Sequence, residues 1–106
     1  MWPYRLSIEA QNQLAGMYNA FLAGALTLGE LQELDDWFER NVYQVLGDQG
    51  FDAFGSPGTR LYGMLTDPST RVLVATELPR TVRVIVTRDA ATDEVSISAI
   101  IFRPAF

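Results

Sequence analysis

The spacing of hydrophobic and polar positions changes once along this chain, dividing it into a helical half and a strand-like half. Tyr4-Arg5-Leu6 makes a short extended start. Leu14, Met17, Tyr18, Phe21, Leu22 and Ala25 then recur at the spacing of one helix face. Ser7 stands where its hydroxyl can accept from first-turn backbone N–H groups, and Glu9 suits the positive helix end. Gly16, Ala20 and Gly24 form a second row on this helix, which predicts close packing against a neighbouring element.

Thr27-Leu28-Gly29-Glu30 has capping-box form and should start a second helix. Leu31, Leu34, Phe38, Val42 and Val45 make its apolar stripe, with Trp37 bordering the stripe and expected in the core. Glu30, Glu33, Asp36 and Glu39 spread across the polar side. Gly47 is the expected terminator, because glycine tolerates the left-handed conformation of a helix end. A short turn between the two helices implies an antiparallel hairpin.

Residues 47–58 hold four glycines and one proline and read as a loop, with Phe51 and Phe54 expected to pin it to the core. The glycines do not make a phosphate-binding loop, since no strand precedes them and no Gly-Lys-Ser/Thr follows. Arg60 to Thr66 fits either a loop or a further short strand. Arg71 to Glu77, Thr81 to Arg88 and Val95 to Phe102 read as three strands. Val82, Val84 and Val86 alternate with Arg83, Ile85 and Thr87. Val95, Ile97, Ala99 and Ile101 alternate with Ser96, Ser98 and Ile100. The short connections Leu78 to Arg80 and Asp89 to Glu94 imply an antiparallel meander. The predicted fold is therefore α+β, in the order β-α-α-β-β-β, with the helical hairpin packed on a C-terminal antiparallel sheet.

Composition narrows the function. At 106 residues and 48% hydrophobic content, the chain should form one domain, spanning residues 1–106. Thirteen carboxylates face eight arginines, for a formal charge of −5, and there is no lysine, histidine or cysteine. An acidic surface argues against direct nucleic-acid binding, which is driven by clustered cations. It suits a protein partner, including one whose groove normally holds DNA. The lack of cysteine excludes disulfides and thiolate chemistry. Neither a secretory signal nor a membrane-spanning apolar run is legible, so no membrane contact and a cytoplasmic setting are expected.

Few constellations carry chemistry. Asp35 and Asp36 point about 100° apart on a helix and are poorly placed to grip one ion, whereas Asp36 can pair with Arg40. Asp93-Glu94 falls in a predicted hairpin turn. No metal site, cofactor or catalytic set is expected. Arg80, Arg83 and Arg103 are the candidate cationic contacts, the alternative being that Arg83 and Arg103 face solvent or pair with the acidic helix. Trp2 is a candidate anchor for a partner. Tyr4, Tyr18, Tyr43 and Tyr62 are candidate acids or bases, although aromatic residues at such spacings more often serve the core or its rim.

Three stretches carry a resemblance. Tyr4-Arg5-Leu6-Ser7-Ile8-Glu9-Ala10 is similar to the opening of the ParE/RelE superfamily of bacterial toxins, where a strand runs into a Ser-x-Glu-Ala helix start. Leu78-Pro79-Arg80-Thr81-Val82-Arg83-Val84-Ile85 resembles the proline-led strand of that family, with Arg80 and Thr81 where an aromatic residue is usual. Val95 to Arg103 resembles its last strand, which commonly ends in a basic residue. The resemblance implies a toxin of a toxin–antitoxin pair. Family members that cleave messenger RNA rely on Lys, Arg, His or Tyr near the sheet; with no Lys or His here, ribonuclease activity is not expected. The ParE branch acts by binding DNA gyrase, which needs no catalytic set. The implied partners are an antitoxin, gyrase or another DNA-binding protein. The second reading is an acidic inhibitor or immunity-type protein, of phage origin for example, whose acidic helix blocks a basic or DNA-binding surface. Pairing of an exposed sheet edge would make either a homodimer.

Overall fold

The computed structural model describes residues 2–57 and 68–106. The candidate strand at residues 60–66, and Tyr62 within it, lie outside the described residues. Strand β1 (Arg5–Leu6) leads into α1 (Ile8–Leu22) and α2 (Leu28–Phe38). A π-helical turn (Glu39–Tyr43) and a short α3 (Gln44–Gln49) continue α2, and β2 (Ser56–Pro57), β3 (Thr70–Ala75), β4 (Thr81–Arg88) and β5 (Val95–Arg103) follow. The molecule is α+β, with the helical hairpin packed on the sheet.

Both helix starts form as the side chains dictate. The Ser7 hydroxyl accepts from the Ala10 N–H at 3.1 Å. Thr27 and Glu30 complete a reciprocal capping box, at 3.1 Å to the Glu30 N–H and 3.0 Å from the Thr27 N–H. The helix end differs from expectation. Gly47 is buried within α3 near the Tyr4 ring, and the chain leaves the helix at Gly50, whose φ of 86° requires glycine. The π-turn inserts an extra residue after Phe38. It also moves the last fully buried position of the stripe from Val45 to Leu46.

The sheet has the order β1-β5-β4-β3-β2. β1 runs parallel to β5, and the remaining pairs are antiparallel. Alternation on β4 holds throughout: Val82, Val84 and Val86 are fully buried beneath the helices. Burying each such side chain stabilises the fold by about 1.5–3 kcal/mol, so a polar replacement at any of them should be severely disruptive.

On β5 the expected alternation fails halfway. Ile85 pairs with Ala99 but Val86 pairs with Ile97, leaving Ser98 as an extra residue in a bulge. The buried phase consequently changes from Ile97 to Ile100 and Phe102, and Ile101 turns to the opposite face. The bulge is also where α1 docks. The Ser7 hydroxyl donates to the Ser98 carbonyl at 2.8 Å, the Ser7 N–H donates to the Ile97 carbonyl at 3.0 Å, and the Gln13 amide oxygen accepts from the Ile100 N–H.

The core joins Met17 of α1, Leu34 and Phe38 of α2, Leu46 of α3 and the covered face of the sheet. Phe38 meets Phe102 edge-on at a 6.2 Å centroid separation, and Trp37 is buried beside it. Phe51 and Phe54 are buried and pin the loop, as their placement among glycines implies. Among the described residues, no helix is long and apolar enough to cross a membrane.

Candidate functional site: the sheet face opposite the helices

Strand parity sets the two faces of the sheet. Since Val82, Val84 and Val86 point at the helices, Arg83, Ile85 and Thr87 point away. Arg83 pairs with Ile101 on β5 and with Val74 on β3, so these three side chains form one row across the sheet. Thr81 pairs with Arg103 in the adjoining row, and Ile85 lies between Val72 and Ala99 on the other side. Val72 is buried but stands outside the main core, which fits a position on this second face.

The structure thus brings Arg83 and Arg103 onto one surface, as diagonal neighbours on adjacent strands. Their setting is apolar, formed by Val74, Ile85 and Ile101, with Val74 43% exposed. Arg83 is half-buried with its Nε shielded from solvent, while Arg103 is exposed at the end of β5. Each also makes an interaction of its own within the chain. The bulge contributes here, because it places Ile101 rather than Ile100 beside Arg83.

Arg80 is placed elsewhere and does different work. Its guanidinium donates to the carbonyls of Pro104 and Ala105, at 2.5 and 3.3 Å, and stacks on the Phe106 ring at 4.1 Å. Phe106 in turn packs on Phe102 at 4.7 Å. This arginine fastens the C-terminal residues to the edge of the core.

The acidic row lies on the helical layer, across the molecule from Arg83 and Arg103, and its members are unequal. Glu30 is engaged by the capping box. Its carboxyl is held below the usual range first by hydrogen bonding to Thr27, with a smaller contribution from the charge of Arg80. Asp36 forms an ion pair with Arg40, as the four-residue spacing implies. Glu33 and Glu39 are exposed.

The described tyrosines are tuned away from base chemistry. Tyr18 donates to Asp35 at 2.8 Å, and desolvation followed by that hydrogen bond raises its pKa to about 12. Burial likewise raises Tyr4 and Tyr43, with neighbouring charge adding to it. At neutral pH all three remain phenols that donate hydrogen bonds and cannot accept a proton as a base. Among the described residues, no group of three or more His, Cys, Asp or Glu is arranged to hold a metal ion.

A cleft of about 450 Å³ that no residue pattern announces also lies among the described residues. Trp2, Leu46, Phe51 and Val95 wall it, and Arg88 and Asp93 stand at its polar side. Trp2 is 60% exposed; its backbone N–H donates to the Gly47 carbonyl at 2.7 Å, and its ring lies against Gly50, where an added Cβ would come within 3.2 Å. Arg88 is already engaged inside the protein. The guanidiniums of Arg71 and Arg88 stack on Phe51 at 5.1 and 4.8 Å and reach Asp52 at 3.4 and 3.6 Å. These contacts hold the loop to the sheet, each stacking worth about 0.5–1 kcal/mol.

Comparison with known proteins gave no match to a family model, a curated protein or a solved structure.

Proposed function

We propose that this domain works by binding a protein partner through the sheet face that carries Arg83 and Arg103, in the manner of a ParE-like toxin. The partners in view are a cognate antitoxin and DNA gyrase. The observation that carries the reading is the placement of two arginines among Val74, Ile85 and Ile101. Arginine within an apolar field is the side-chain mixture of binding hot spots, where a desolvated guanidinium finds carboxylate or carbonyl acceptors on the partner. Near neutral pH the described phenols and the guanidiniums keep their protons, so on the sheet face that carries Arg83 and Arg103 they offer hydrogen bonds and charge, which suits binding.

The reading is tested by replacing Arg83 and Arg103 together with Glu and measuring binding to purified gyrase and to a candidate antitoxin. Loss of binding with the fold retained supports it. Harmless induced expression, with no complex with either protein, would sink it.

The rival reading, an acidic inhibitor of a basic or DNA-binding surface, has narrower support. Glu30 and Asp36 are engaged within the helical layer, leaving Glu33 and Glu39 to present charge. That reading requires binding which weakens steeply with salt and is abolished by reversing those two charges.

A further inference from the structure

We infer that the cleft beside Trp2 binds a small zwitterion with an apolar side chain, an aromatic α-amino acid being the chemistry that matches its walls and its charges. The cavity, of about 450 Å³, is of the size that takes a small molecule, and its walls follow the usual plan of apolar surface with a few polar groups on one side. Leu46 and Phe51 reach it from the core, and Val95 closes it from β5. The Trp2 indole completes the apolar part. That ring rests against Gly50, where any side chain would displace it, and its backbone N–H is held by the Gly47 carbonyl at 2.7 Å. An aromatic wall is therefore held in place although Trp2 is largely exposed.

The polar side supplies a cation with capacity to spare. Arg71 and Arg88 share a single oxygen of Asp52, at 3.4 and 3.6 Å, so two guanidiniums face one carboxylate and one positive charge is left over. Arg88 is the more exposed of the two and is the one that lines the cleft. A charge-assisted hydrogen bond of this kind measures about 2.7–2.9 Å, so at 3.6 Å the Asp52 contact is an attraction that uses none of the Arg88 donors. Stacking on Phe51 at 4.8 Å fixes the plane of the guanidinium and leaves its N–H groups around the rim of that plane. A ligand carboxylate can accept from that fork in bidentate fashion.

The opposite charge comes from the β4–β5 hairpin, whose three carboxylates have different employment. Asp89 accepts from the turn N–H groups of Ala91 and Thr92, and Glu94 pairs with Arg5 at 2.6 Å. The Asp93 carboxylate has no partner among the described residues, and it lines the cleft. Its backbone is set by a φ of 58° and by the N–H bond to the Asp89 carbonyl at 2.8 Å. Arg88 pairs with Val95 across the hairpin, and Asp93 lies two residues before Val95. One hairpin thus places a donor fork and an unmatched carboxylate beside the same apolar wall, one for each end of a zwitterion. A plain amine would leave the surplus charge of Arg88 unmatched, and a plain carboxylate would leave Asp93 so. The cleft shares no residue with the Arg83–Arg103 surface, so the two proposals stand or fall separately.

The test is a titration of the isotopically labelled whole chain with phenylalanine, followed by NMR at neutral pH. The Trp2 indole N–H resonance should shift with a Kd on the order of 10 μM to 1 mM, while that of buried Trp37 serves as the unaffected control. Two analogues divide the charges between them: 3-phenylpropionate lacks the ammonium group and phenethylamine lacks the carboxylate. Each should bind at least about tenfold more weakly than phenylalanine. Asp93→Asn, which keeps a residue that tolerates the left-handed backbone, should weaken phenylalanine by a similar factor and leave 3-phenylpropionate unweakened. No shift at roughly 10 mM phenylalanine, equal binding of either analogue, or an Asp93→Asn variant that still prefers phenylalanine would each overturn the proposal.

Discussion

The Ser7 hydroxyl donates to the Ser98 carbonyl at 2.8 Å while accepting from the Ala10 N–H at 3.1 Å. One small side chain thus caps α1 and ties it to the bulge of β5, linking the two ends of the sequence. Ser7→Ala removes both bonds and should cost about 1–2 kcal/mol. Chemical denaturation would measure it, with the Tm falling roughly 4–8 °C per kcal/mol. A loss below about 0.3 kcal/mol would show that the bulge holds without this tie.

Two glycines should respond in opposite directions to the same substitution. Gly55 has a φ of 54°, and an added Cβ would meet the Val72 carbonyl oxygen at 2.4 Å. Gly55→Ala should therefore destabilise by more than about 2 kcal/mol. Gly16 lies within α1 with nothing within 4 Å of its virtual Cβ. Gly16→Ala should stabilise by about 0.5–1 kcal/mol. Parallel urea titrations separate the two, and equal effects would contradict the geometry.

Ionisation of Tyr18 gives a pH test of the helical hairpin. Its pKa in the folded protein is about 12, above the ordinary value of 10.0. The raised value means that the stability it contributes is fully present below pH 10.0 and is lost as pH rises towards 12. Asp35→Asn replaces the carboxylate that raises it, so the phenol should titrate lower, as read by phenolate absorbance. An unchanged titration curve would mean that desolvation alone sets the value.

Arg80 holds the C-terminal residues by two hydrogen bonds and a ring stack on Phe106. Arg80→Ala should accelerate hydrogen exchange and carboxypeptidase trimming of the last residues, with a global cost of less than about 1 kcal/mol. Loss of cooperative unfolding would show that the clamp supports more than the terminus.

Period and parity made much of the fold legible. The Thr27–Glu30 box, the Ser7 cap and the valine alternation of β4 all follow from residue spacing, because each depends on neighbours close along the chain, whereas the shared face of Arg83 and Arg103 depends on the β4–β5 register. What the spacing hid was irregular backbone. The bulge at Ser98 escaped notice because Ile97, Ile100 and Ile101 are all apolar, so either phase of β5 reads as a covered face. The π-turn has no residue signature, since its hydrogen bonds use backbone alone, and Gly47 resembles a terminator although Gly50 performs that role. The Trp2 cleft was invisible for a different reason. It unites the N-terminus, the α3–β2 loop and the β4–β5 hairpin, and only tertiary packing brings those together.

The central claim is that Arg83 and Arg103 form the contact surface for a protein partner. Its most direct test is affinity capture from a bacterial lysate, read by mass spectrometry at low and high salt, on three proteins side by side. These are the wild type, the Arg83→Glu/Arg103→Glu double variant and the Glu33→Lys/Glu39→Lys double variant, each checked for native circular dichroism. The account predicts gyrase or a small antitoxin with the wild type and with the helix variant, and neither with the sheet variant. Capture of a basic DNA-binding protein that survives in the sheet variant, but is lost at high salt and in the helix variant, would contradict it.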